Sequence, residues 1–140
     1  MEIQTQITIN AKAETVWNVL TNFNDYAWNP FIKTVEGRMQ KGNTIRVELG
    51  GMTKPEVLNF EANKEFRWKG KLVLKGIFDG EHFFILEEKN GATLFTHGEI
   101  FSGILVPLFQ KKLLGETKDG FGAMNLALKN KCENESPICS

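Results

Sequence analysis

Asn90-Gly91, set between two runs of alternating residues, constrains this chain more than any other feature. A two-residue hairpin turn of type I′ needs positive φ at both central positions, and Asn-Gly adopts it at low cost. With the turn there, Lys89 pairs with Ala92 and the rest of the ladder follows. His82 falls opposite Glu99, Phe84 opposite His97, and Leu86 opposite Phe95. Side chains alternate along a strand, so these six share one face, which Phe78 and Phe101 join. The other face carries Glu81, Phe83, Ile85 and Glu87 against Ile100, Gly98, Thr96 and Leu94. The first face is the expected concave, covered side. It holds four Phe, and its polar residues can pair with each other.

Cβ atoms directly opposite lie about 5 Å apart, so the His82 imidazole can reach the Glu99 carboxylate. Three roles stay open for the pair: a polar anchor for a ligand, an acid and base, or a buried pair that satisfies itself. An unpaired polar group in an apolar interior costs several kcal/mol, which makes the last as sound as the others. His82, His97 and Glu99 also offer two nitrogens and one oxygen. No fourth ligand or metal motif accompanies them, so no metal is expected. A Ser/His/Asp triad, a GxSxG, a P-loop and a GxGxxG are all missing, so no cofactor is expected.

The remaining pattern places the hairpin in a fold. Ile3, Thr5, Ile7 and Ile9 alternate with Glu2, Gln4, Gln6 and Thr8, as in a half-buried strand. Asn10 is the expected cap of a short helix over Ala13 to Leu20. A second helical turn is expected from Asp25 towards Asn29, stopping before Pro30. From Ile32 strands follow, punctuated by Gly37, Gly42, Gly50-Gly51, Asn63-Lys64 and Gly76. Phe66, Trp68, Leu72 and Leu74 face one way. Arg67, Lys69, Lys71 and Lys75 face the other as a solvated basic ladder. Phe109, Leu113, Thr117, Phe121, Met124 and Leu128 then recur at helical spacing. Gly115, Gly120 and Gly122 in that helix suggest a bend or close packing. The expected fold is α+β: a curved antiparallel sheet wrapped around a long C-terminal helix, with two short helices after the first strand.

Charge and composition narrow the function. Lys plus Arg total 17 and Asp plus Glu total 17, a formal net charge of zero. A nucleic-acid partner bound by bulk charge is therefore not expected. No run approaches the roughly 18 apolar residues of a membrane span, and no secretory signal is expected at the N-terminus. A cytoplasmic monomer or homodimer fits. Cys132 and Cys139 match neither a redox pair nor a zinc pair and are expected as reduced thiols on a tail. The aromatic surface is nearly all apolar, with 11 Phe and 3 Trp but 1 Tyr.

The run Val16-Trp17-Asn18-Val19-Leu20-Thr21-Asn22-Phe23, then Tyr26 and Trp28-Asn29-Pro30-Phe31, resembles the opening of START-like (SRPBCC) proteins, among them polyketide cyclase/dehydratase-like and lipid-transport-like members. Arg67-Trp68, Gly80-Glu81-His82-Phe83-Phe84, Gly98 to Gly103 and Gly120 to Lys129 add to the likeness. The resemblance implies one helix-grip domain over residues 1–133, with 134–140 as a flexible tail. It implies a cavity for a small apolar or amphipathic ligand, lined here by Trp68, Leu72, Phe84, Phe95, His97, Phe109, Phe121 and Met124. Trp28 and Phe31 would stand near a mouth, and His82 and Glu99 would orient the ligand. The alternative is a cyclase- or dehydratase-type enzyme in which His82 and Glu99 are the catalytic pair.

Overall fold

The first strand, β1 (Glu2–Ile9), alternates as its sequence demands, with Ile3 and Ile9 buried and Glu2, Gln4, Gln6 and Thr8 exposed. The computed structural model describes residues 1–49, 52–71, 79–104 and 106–139. After β1 comes α1 (Ala13–Thr21), which buries Val16, Trp17, Val19 and Leu20 on one side. Its N-terminus is not capped by Asn10. The carboxylate of Glu88 accepts the Ala13 N–H at 2.8 Å from a strand 75 residues away. The expected second helix is absent among the described residues, and two separate turns, at Phe23–Asn24 and Ala27–Trp28, stand there instead. Asn29 Oδ1 accepts the N–H groups of Phe31 and Ile32 at 2.9 and 2.8 Å. That local bond competes with helix, and Pro30 cannot extend one.

Three short strands follow, β2 (Thr34–Glu36), β3 (Arg46–Glu48) and β4 (Met52–Thr53), forming a small sheet in that order. The main sheet is built from β1 with β5 (Glu56–Glu61), β6 (Glu65–Lys71), β7 (Asp79–Lys89) and β8 (Ala92–Ser102). All its pairs are antiparallel, in the order β1-β8-β7-β6-β5. The β7–β8 hairpin has the expected register throughout, from Lys89 opposite Ala92 to His82 opposite Glu99. Asn90 and Gly91 have φ of 57° and 81°, as the turn requires.

The C-terminal helix comes in three parts. A short α2 (Val106–Lys112) passes through a π-helical turn at Leu113–Thr117 into α3 (Lys118–Cys139). Gly115 lies in the wide turn. Gly120 is there for close approach: a Cβ on it would stand 2.8 Å from the Phe31 ring. The expected tail beyond residue 133 differs, since α3 is continuous as far as Cys139. Cys132 belongs to the core rather than to a tail, at 0% exposure. The helix register puts it in line with Leu128 and Met124, which are also fully buried. Of the basic ladder, Lys69 is exposed as expected, Lys75 and the Lys71 side chain lie outside the described residues, and Arg67 is half-buried. Arg67 lies 4.6 Å over the Phe83 ring and bonds Glu81 at 2.6 Å and Glu65 at 3.3 Å.

α3 packs against β1, α1 and β8, and the core between them is rich in rings. Phe66, Phe84, Phe95 and Phe121 are all at most 1% exposed. Each such burial contributes about 1.5–3 kcal/mol relative to exposure.

Candidate functional site

The inner face of the sheet presents residues in cross-strand rows. One row runs Ile3, Glu99, His82, Trp68, and the next runs Thr5, His97, Phe84, Phe66. Glu99 and His82 are direct neighbours, and their side chains bond through Oε1 and Nδ1 at 2.6 Å. The other imidazole nitrogen of His82, Nε2, lies 2.7 Å from Nε2 of His97 on the adjacent row. His97 Nδ1 meets Asn125 Oδ1 of α3 at 2.9 Å. Asn125 Nδ2 donates to Thr5 Oγ1 at 2.8 Å, and the Thr5 hydroxyl donates to the His97 carbonyl at 3.0 Å. The five side chains thus form one hydrogen-bonded relay from Glu99 to β1.

The order of protons in the relay follows from its far end. The Thr5 proton is spent on a carbonyl, so Thr5 Oγ1 accepts and Asn125 turns its NH₂ to it. Asn125 Oδ1 then faces His97, whose Nδ1 must carry the hydrogen. Burial is the main cause that holds His97 well below the usual imidazole value, and the charge of neighbouring His82 adds to it. The bond to Asn125 offsets only part of this. His97 is therefore neutral, its Nε2 is an acceptor, and His82 Nε2–H donates to it. Every imidazole nitrogen is consumed inside the relay. One proton remains to be placed, between His82 Nδ1 and Glu99 Oε1, giving either an imidazolium with a carboxylate or an imidazole with an acid.

Aromatic rings enclose the histidines. Trp68 stacks on His82 at 4.8 Å and 8°, and Phe121 stacks on His97 at 4.0 Å and 18°. Phe31 lies 6.2 Å from His82 and 5.4 Å from Phe121, closing the far side. His82 and His97 are 1% and 0% exposed, whereas the Glu99 side chain retains 12%. Glu99 is thus the accessible end of a buried network.

Its access is a recess of about 30 Å³, lined by Leu49, Thr53, Pro55, Trp68, Gly70, Gly80, His82 and Glu99. This is room for a single water-sized group. Gly70 and Gly80 face each other across β6 and β7 and keep it open. Glu99 Oε2 occupies the place of a Gly80 side chain, since a Cβ there would stand 2.2 Å from it. Oε1 is spent on His82, while Oε2 makes no hydrogen bond among the described residues.

The structure brings His82, His97, Glu99, Trp68, Phe31, Phe84 and Phe121 together, with Phe84 4.7 Å from His97. Phe95 is 6.1 Å from His97, deeper in the core, and Met124 is buried at 0%. These rings pack on each other, and of the described residues expected to line the cavity Trp68 alone is in the lining of this recess. Trp28 stands apart, beside Tyr26 at 5.3 Å, in a separate recess with Asn22, Asp25 and Lys131. Leu72 and Phe78 lie outside the described residues, as does the Phe109 side chain. Sequence reasoning missed Thr5 and Asn125. It also missed Leu49, Thr53 and Pro55, which come from loops and short strands whose approach no local pattern encodes. Gly80 carried a usable signal, a glycine on the inner face diagonal to a carboxylate. Among the described residues no group of three or more His, Cys, Asp or Glu is placed to hold a metal ion, and no helix is long and apolar enough to cross a membrane.

The family model described as polyketide cyclase / dehydrase and lipid transport matches residues 1–128. No curated protein matches the chain. Among solved structures, protein MLL2253 from Mesorhizobium loti is similar at 18% identity and a TM-score of 0.77, covering 96% of this chain and 98% of its own. A START superfamily protein from Mycobacterium smegmatis is similar at 22% identity and a TM-score of 0.69, with 95% and 97% covered. DynU16, a protein of the dynemicin biosynthetic locus, is similar at 18% identity and a TM-score of 0.75, with 97% of this chain and 48% of DynU16 covered. At these identities the structural likenesses speak for the helix-grip fold alone.

Proposed function

The chain belongs to the polyketide cyclase / dehydrase and lipid transport family, and from that premise we propose that it binds a small amphipathic molecule at Glu99. The polar end enters the 30 Å³ recess, and the apolar part rests outward on Leu49, Pro55 and Trp68. One observation carries this reading: Glu99 Oε2 is held over Gly80, inside the recess, with its hydrogen-bonding capacity unused among the described residues. A pocket with apolar walls and one convergent polar group is the usual make-up of a small-ligand site. A purely structural His–Glu pair would need neither the recess nor the two facing glycines.

The test is an amide NMR titration of the labelled protein with 4-tert-butylcyclohexanol. Saturable shifts centred on Thr53, Gly70, Gly80 and Glu99 are expected, and Glu99→Ala should weaken them about tenfold. No saturable shift, or shifts centred elsewhere, would sink the reading.

The 2.6 Å bond between Glu99 and His82 favours a second reading, an enzyme of the cyclase or dehydrase type. Glu99 is then the group that takes a proton from the substrate, with His82 as the partner that balances its charge. Under that reading Glu99→Gln abolishes turnover of a polyketide substrate while the fold persists. Full turnover in that variant would remove it.

A further inference from the structure

We infer that the recess favours ligands that present a hydrogen-bond donor, such as an alcohol, phenol or enol, over matched ones whose polar end is a carbonyl or ether oxygen. This rests on the ligand-binding reading above and gives it a substrate class. The argument is the proton order of the relay. The Thr5 hydroxyl bonds the His97 carbonyl at 3.0 Å, which commits Asn125, then His97, then His82 Nε2. The last proton lies between His82 Nδ1 and Glu99 Oε1 at 2.6 Å. On His82, it leaves Glu99 as a carboxylate, and Oε2 is an acceptor. On Oε1, it makes Oε2 the carbonyl oxygen of the acid, again an acceptor. Oε2 therefore presents lone pairs to the recess wherever that proton sits.

Neither imidazole competes for the ligand. Both nitrogens of His82 are consumed, and His97 is shut behind Phe31, Phe84 and Phe121. A ketone placed here sets its oxygen against an acceptor oxygen with no proton between them. An alcohol places its own hydrogen there. Sites built to bond a hydroxyl discriminate strongly against analogues that lack it, because the buried partner is left unpaired.

It follows that Thr5 and Asn125 are positioning residues. They touch no ligand, but they fix the tautomer of His97 and with it the direction of its bond to His82. Their part in the recess is chemical rather than steric, since neither lines it.

Two measurements test the inference. The first compares 4-tert-butylcyclohexanol with 4-tert-butylcyclohexanone, matched in shape and differing in the donor. The alcohol should bind roughly 10- to 100-fold more tightly, the range expected for one hydrogen bond to a charged group. Equal affinity at the same residues would overturn the donor rule while leaving the binding reading intact. Binding of neither would overturn both.

The second is a histidine ¹⁵N spectrum of the ligand-free protein, made unambiguous by there being 2 histidines in the chain. His97 should show a pyrrole-type Nδ1 and a pyridine-type Nε2. The opposite pattern would overturn the positioning role of Thr5 and Asn125. In Asn125→Leu His97 should lose its single tautomer, and an unchanged tautomer in that variant would count against that role.

Discussion

Gly80→Ala is the smallest change that should strike the site alone. Its backbone needs no glycine, because Gly80 is not among the positions with positive φ. The obstacle is Glu99. A Cβ would lie 2.2 Å from Oε2 and 3.3 Å from Cδ, and the third nearest atom is also of Glu99. The carboxylate end is mobile enough to move, and it must retreat by about 1 Å to restore a normal contact. That retreat carries Oε1 away from its 2.6 Å bond to His82 and out of hydrogen-bond range. His82 is 1% exposed, so bulk water does not reach it to replace the lost partner. A hydrogen bond to a charged group contributes about 1.5–3 kcal/mol, and removing it leaves a buried nitrogen unsatisfied. The loss of chain entropy in the unfolded state offsets about 0.4–1 kcal/mol. The net expectation is a destabilisation of about 1–2 kcal/mol, or a fall in Tm of about 4–8 °C for a chain of this size. The assay is urea denaturation of Gly80→Ala, Glu99→Ala and the double variant. With Glu99 truncated nothing blocks the new methyl, so Gly80→Ala should there be neutral or mildly stabilising, with a coupling of about 1.5–3 kcal/mol. An equal loss in both backgrounds would refute the argument, because the clash would then lie with something other than Glu99.

Acid should destabilise the fold through His97. Burial holds its folded-state value below 6.5, so its contribution is fully present above that value and is lost as the unfolded chain takes up the proton at lower pH. Unfolding free energy should fall by up to about 1.4 kcal/mol per pH unit below pH 6.5, and a flat urea profile between pH 7 and 5 would contradict a buried neutral His97. Glu88→Ala should cost about 1 kcal/mol, the usual worth of an N-cap, although Glu88 lies in β7 rather than next to α1. Loss of amide-exchange protection in the first turn of α1 would check it, and unchanged protection would assign the cap elsewhere.

Much of the fold was legible because its strongest signals are local. A two-residue turn at Asn90-Gly91 leaves the chain one way to pair, so the register of eleven residues on each side follows from two. The helical stripe at Phe121, Met124 and Leu128 was equally plain, and all three are fully buried. Misreadings came where a tertiary partner outbid a local preference. Asn10 has cap chemistry, but Glu88 reached Ala13. The segment after Asp25 has helical spacing, but Asn29 Oδ1 accepts the N–H groups of Phe31 and Ile32 instead. Phe84, Phe95 and Phe121, expected as cavity lining, pack on each other and on the histidines.

The sequence by itself determined that His82 meets Glu99, because a hairpin register is a property of the chain between the two residues. It also determined that both histidines share a face with the Phe cluster, because strand periodicity has no alternative. Only the tertiary structure decided what the pair is attached to. Asn125 lies 28 residues from His97 and 120 from Thr5, and the bonds among them exist because α3 is laid across β1 and β8. That crossing sets the direction of the proton between the two histidines. No spacing within one strand or helix records it, since the energy that places α3 comes from burying rings, not from the polar groups that become aligned when it docks.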